Sequence, residues 1–113
     1  MQLGTHVLID ARVKNGEFLN ESESLNTLLE KITVVCGLTC VNRCEHAFTP
    51  QGYTICHVLA ESHVSIHTWP EYNTFALDVY SCKHELDEEA ILECIRCFGE
   101  LETYIVNKVS RGV

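Results

Sequence analysis

Residues 63–69, HVSIHTW, alternate strictly. In an extended chain successive side chains point to opposite faces, so His63, Ser65, His67 and Trp69 share one face and Val64, Ile66 and Thr68 the other. Only one of those faces can meet a core. A strand with aliphatic residues on one side and histidines on the other must lie in a sheet covered on one side and open on the other. The open side then carries reactive groups.

The rest of the pattern fits such a sheet. Residues 5–13, 38–48, 53–60, 74–81 and 101–109 read as strands, and TPQG (49–52) reads as a turn punctuated by Pro50 and Gly52. Residues 14–22 read as a loop. Two segments carry the helical period instead. In residues 23–36, Leu25, Leu28, Leu29, Ile32 and Val35 form one stripe, with Ser22 or Ser24 as the cap and Gly37 as the stop. In residues 88–98, Ala90, Ile91, Cys94, Ile95 and Phe98 face inward, with Asp87 as the cap and Gly99 as the stop. The order strand, helix, several strands, helix, strand predicts an α+β two-layer sandwich: one mostly antiparallel sheet with two helices on one face. The uncovered face or a sheet edge suits a second copy, so a homodimer is expected.

At 113 residues the chain holds one domain. A formal net charge of −8 with no Lys/Arg patch argues against nucleic acid and anionic membrane as partners. No apolar run approaches a membrane span, and MQLGTHVLID lacks the basic-then-apolar order of a secretory signal, which reads as a cytoplasmic address. Seven cysteines, an odd number without a secretion signal, are expected as reduced thiols. Cys36, Cys40 and Cys44 are spaced by four and Cys94 and Cys97 form a C-x-x-C, but the former span a helix end and a strand and the latter fall within a helix. They read as packing residues, and no metal site is expected.

Ser62 and His67 stand five positions apart, on opposite faces if the strand is straight. They can cooperate only if the chain bends near Ser62. A Ser-His hydrolase would need a nucleophile elbow such as G-x-S-x-G and a third member, and the sequence offers neither. The plainer alternative is that Ser62 starts a strand and His67 is a solvated surface histidine.

The run ESHVSIHTWPE (61–71), followed by LDVYSC (77–82) and preceded by EHAFTPQGYT (45–54), resembles the prokaryotic S-adenosylmethionine decarboxylases, a pyruvoyl-dependent family. The resemblance covers essentially the whole chain and is most specific over residues 46–82. It implies a self-processing enzyme. The Ser62 hydroxyl attacks the carbonyl of Glu61, the amide becomes an ester, a base removes the α-hydrogen of residue 62, and β-elimination cuts the chain into 1–61 and 62–113. The resulting dehydroalanine hydrolyses to ammonia and a pyruvoyl group, the cofactor derived from Ser62. The substrate amine condenses with that carbonyl, which serves as the electron sink for loss of carbon dioxide.

By the same resemblance His67 is the processing base, an imidazole being suited to proton transfer near neutral pH. Thr54 supports processing where a serine is usual, and Cys82 is the proton donor in decarboxylation. Phe48 stacks on adenine near the sulfonium, Glu71 accepts from the ribose hydroxyls, and Trp69 lines the pocket. The product, decarboxylated S-adenosylmethionine, is the aminopropyl donor for spermidine. The chain departs from the family's usual run at Ala47, Tyr53, Thr54, Cys56, His57, Lys83 and the YNTFALD segment (72–78). Two alternatives stay open: a pyruvoyl-dependent decarboxylase of a free basic amino acid such as ornithine or arginine, and an unprocessed paralogue that binds a ligand or regulates a partner.

Overall fold

The computed structural model describes residues 1–83 and 85–113. In chain order these form β1 (Gln2–Val13), a 3-10 turn at Glu17–Asn20, α1 (Ser22–Val35), β2 (Cys40–Ala47), β3 (Tyr53–Leu59), β4 (Ser62–Trp69), a second 3-10 turn at Pro70–Tyr72, β5 (Thr74–Ser81), α2 (Glu88–Arg96) and β6 (Leu101–Gly112). The six strands make one antiparallel sheet in the order β2-β3-β4-β5-β1-β6. Both helices pack on one face of it, giving the expected two-layer α+β sandwich.

The alternation decides which face is covered. Ile55 and Leu59 of β3, Val64 and Ile66 of β4, Phe75, Leu77 and Val79 of β5, and Val7, Ile9 and Val13 of β1 join Leu25, Leu28, Leu29 and Ile32 of α1 and Ile91, Leu92 and Ile95 of α2 in one core. Burying a Val, Leu or Ile side chain stabilises by about 1.5–3 kcal/mol. A one-residue slip of β4 would turn Val64 and Ile66 to solvent and put His63, Ser65 and His67 in their place, so the register is firmly set.

Two helix details differ from expectation. Neither Ser22 nor Ser24 caps α1: Glu21 is the N-cap residue, and the Ser24 hydroxyl donates to its carboxylate. Ser22 donates instead to Glu45 of β2, tying the first turn of the helix to the sheet. Val35, placed on the inner stripe, is half exposed and Val34 beside it largely exposed, because α1 ends there and its last turn overhangs the core. The other ends follow the sequence. Gly37 takes φ +69 and closes α1, with Leu38 N–H donating to the Thr33 carbonyl. Asp87 caps α2 by accepting from the Glu89 and Ala90 N–H groups. Leu92 is buried although the α2 pattern did not mark it.

Candidate active site

β4 carries reactive groups at both ends, and its neighbours hold each end differently. At its start, Ser62 pairs with Leu59 across the β3–β4 hairpin and with Ser81 of β5. The two turn residues, Ala60 and Glu61, lack the Asn or Gly that usually supplies positive φ in so short a connection. The unusual backbone falls on Ser62 instead, at φ 148. A serine held there carries strain that the surrounding contacts must offset.

Those contacts converge on the Glu61–Ser62 peptide. The Cys82 N–H donates to the Glu61 carbonyl at 2.8 Å. The Glu61 side chain is buried, and its Oε1 accepts from the Thr39 N–H at 2.9 Å, while Ala60 N–H donates to the Thr39 carbonyl at 2.9 Å. Residue 61 is thus fixed from both sides. Gly4 lets β1 close on this point: a Cβ there would collide with the Ser81 carbonyl and come within 2.9 Å of Cys82 Cα. Cys82 itself is exposed and lines a cavity of about 300 Å³ with Gln2, Gly4, Thr5, Lys83 and Glu85. Neither the Cys82 N–H nor Thr39 was marked by the sequence. Both act through backbone groups, which leave no trace in residue type.

The far end of β4 gathers the other set. Thr54 of β3 lies directly opposite His67, and its hydroxyl meets His67 Nδ1 at 2.9 Å. In the tautomer whose Nδ1–H donates to Thr54, Nε2 is the nitrogen free to accept a proton. Beyond them a cavity of about 410 Å³ is lined by Phe48, Tyr53, Thr54, His67, Trp69 and Glu71, among others. Phe48 stands half exposed over its mouth, edge-on to His46 at 4.7 Å. The 3-10 turn after β4 places Glu71 there, and Asn73 ends that turn in a left-handed conformation at φ 53. The volume suits a small organic ligand, with one aromatic, one carboxylate and one imidazole around it.

The expected site residues therefore fall into two groups. Glu61, Ser62 and Cys82 lie together, as do Thr54, His67, Phe48, Trp69 and Glu71. The bend at Ser62 does not bring the groups together within one chain. His67 is five residues along the same extended strand, roughly 16 Å away at about 3.3 Å per residue. It also projects from the open face, whereas Ser62 falls in step with core-facing Val64 and Ile66.

The sequence profile described as S-adenosylmethionine decarboxylase matches residues 5–112. The chain belongs to the S-adenosylmethionine decarboxylase family. It is 34% identical over 97% of its length, and 94% of the relative's, to a protein of Methanococcus aeolicus named S-adenosylmethionine decarboxylase proenzyme. A protein of the same name from Thermodesulfovibrio yellowstonii is 38% identical over 84% of this chain and 73% of its own. The crystal structure of the adenosylmethionine decarboxylase of Aquifex aeolicus superposes with a TM-score of 0.87 at 29% identity, covering 99% of this chain and 92% of that one. Membership in the decarboxylase family thus extends from sequence to fold over nearly the whole chain.

Proposed function

We propose that the chain is the proenzyme of a pyruvoyl-dependent S-adenosylmethionine decarboxylase that cuts itself between Glu61 and Ser62. The observation that carries this reading is the Glu61–Ser62 junction. Ser62 sits at a strained φ of 148, and the carbonyl its hydroxyl would attack accepts the Cys82 N–H at 2.8 Å. A donor already aimed at that oxygen lowers the cost of negative charge developing on it. Strain in the peptide is relieved when the amide gives way to the ester. β-Elimination and loss of ammonia then leave a pyruvoyl group at residue 62, which supplies the electron sink for decarboxylation.

The junction fits that group. Residue 62 is only partly buried, and the exposed Cys82 thiol follows β5 directly beside it. A thiol at that place can return a proton to the substrate carbon. The base for elimination must come from elsewhere, since His67 of the same chain is out of reach. A second copy, open face toward open face, supplies its His67 with Thr54 behind it, and with them the cavity holding Phe48, Trp69 and Glu71. The working unit is a homodimer with two composite sites. In that cavity the Phe48 ring receives the adenine and sulfonium, a cation over a ring being worth about 0.5–2 kcal/mol. The Glu71 carboxylate accepts from the ribose hydroxyls. A free basic amino acid has neither an adenine to stack on Phe48 nor ribose hydroxyls to donate to Glu71.

Incubation of processed protein with carboxyl-labelled S-adenosylmethionine, ornithine and arginine tests the substrate. Labelled carbon dioxide is expected from S-adenosylmethionine alone and is abolished by a hydrazine that captures the carbonyl. Release from ornithine or arginine would overturn the assignment.

A further inference from the structure

On the open face, the strand register lays out three neighbouring rows: Thr54, His67, Ala76 and Asp10; then Cys56, Ser65, Asp78 and Leu8; then Val58, His63, Tyr80 and His6. Asp78 of the middle row lies diagonally between the two histidines of the third. Its Oδ2 stands 2.8 Å from His6 Nε2 and 3.1 Å from His63 Nε2. All three atoms lie within 4.8 Å of one another. Its other oxygen, Oδ1, accepts the Ser65 hydroxyl. These bonds hold the Asp78 carboxyl below the usual carboxylate range, against a burial effect that alone would raise it. Among the described residues no lysine or arginine pairs with Asp78, and the guanidinium of Arg111 lies over the Tyr80 ring, 4.9 Å from its centroid.

We propose that His6, His63 and Asp78 form a binding site for a transition-metal dication of the zinc or cobalt class. Ligands held at about 2.0–2.2 Å from such an ion sit roughly 3 Å from each other; the two separations to Asp78 already approach this, and the two histidine nitrogens, within 4.8 Å of each other, close on the ion as it binds. Two imidazoles and one carboxylate on one side of an ion form a donor set that leaves positions for water. To bind the ion, each neutral ring takes the tautomer with its one proton on Nδ1, which leaves the Nε2 lone pair free for the metal. Ser65 supplies the outer contact that orients a carboxylate ligand, fixing Oδ1 so that Oδ2 faces the histidines. The donors come from β1, β4 and β5 of a single chain. The site therefore stands without a partner copy and does not depend on the decarboxylase reading. An ion there pins the start of β4 one residue from Ser62.

The test is a titration of the purified, chelator-stripped protein, all 113 residues present whether cut or uncut, with Co²⁺, followed by visible d–d absorption and by the near-ultraviolet sulfur-to-cobalt band. Cys56 pairs with Ser65 across β3 and β4, so the sulfur band reports whether a thiol is the true ligand. One equivalent per chain is expected, displaced by Zn²⁺, without the sulfur band. His6→Gln and Asp78→Asn lower affinity more than hundredfold, and Ser65→Ala, which keeps all three donors, lowers it about tenfold. Circular dichroism of the metal-free variants establishes that they are folded. Absence of saturable binding to the wild-type chain, a dominant sulfur band, or equal affinity in folded variants would overturn the site.

Discussion

The two ends of β4 are built on opposite plans. The Ser62 end is held by the backbone: a positive φ, the Cys82 N–H on the Glu61 carbonyl, and the Thr39 N–H on the Glu61 carboxylate. The His67 end is held by side chains around a cavity open to solvent. A reaction in the chain itself needs the first kind of rigidity, because the bond to be broken is in the backbone. Recognition of a free ligand needs the second. One strand cannot bring both to one point, since its ends are some five residues apart. The proposed site, assembled from two copies, would resolve this by setting the Ser62 end of one strand against the His67 end of another.

Mixing variants breaks or upholds that comparison most sharply. Ser62→Ala and His67→Ala chains are each expected to stay intact when expressed alone. When they are co-expressed, the His67→Ala polypeptide is cut by the histidine of its partner, whereas the Ser62→Ala polypeptide stays whole. Only full-length polypeptide after co-expression, on a denaturing gel, would mean that the ends do not meet between copies. Next in size is Cys82→Ala. Its backbone N–H remains, so cleavage persists, while the decarboxylation rate falls by about 10²–10⁴ for loss of a positioned proton donor. A loss of cleavage as large as that of decarboxylation would place the thiol in processing as well.

Phe48→Ala probes the ligand end alone. KM for S-adenosylmethionine rises roughly 2–30-fold with cleavage unchanged, matching about 0.5–2 kcal/mol for a cation over a ring. A change in the extent of cleavage would tie the aromatic to the wrong end.

The smallest effect is expected on the covered face. His57 of β3 is fully buried, and its Nε2–H donates to Asn26 Oδ1 at 2.7 Å. Nδ1 is buried without a hydrogen-bond partner among the described residues. Burial pushes its pKa below the ordinary histidine value, with Arg43 adding to the shift. The neutral ring is favoured in the fold, so this contribution is fully present above the ordinary value of about 6.5 and is lost as the pH falls through it toward the depressed folded value. Chemical denaturation should show stability falling on that acid side, and His57→Gln should flatten this part of the profile. An unchanged profile in the variant would assign the acid sensitivity to other groups.

Most of the fold was legible because period-two and helical patterns alternate along the chain without ambiguity. The strict HVSIHTW pattern predicted the faces of β4 correctly, and Asp87 and Gly37 marked helix ends by chemistry specific to those positions. Ser22 and Ser24 misled because Glu45 and Glu21 compete for their hydroxyls, a contest that only tertiary packing decides. For the candidate site, side-chain identities were readable from the E-S-H-x-x-I-H-T-W-P-E run and the EHAFTPQGYT and LDVYSC segments beside it, but their separation into two groups was not. That separation follows from β4 remaining extended, with its distortion confined to Ser62. The Cys82 N–H and the Thr39 N–H were silent because any residue but proline offers the same donor. The His6–His63–Asp78 cluster was hidden for a related reason: its members come from three strands and meet only through the register.

Intact mass spectrometry of freshly purified and aged wild-type protein tests the central claim most directly. The account predicts two fragments, residues 1–61 and residues 62–113, with the second lighter by the mass of ammonia than the same fragment beginning with serine. A single species of full-length mass in both samples, with an unmodified serine at position 62, would contradict it.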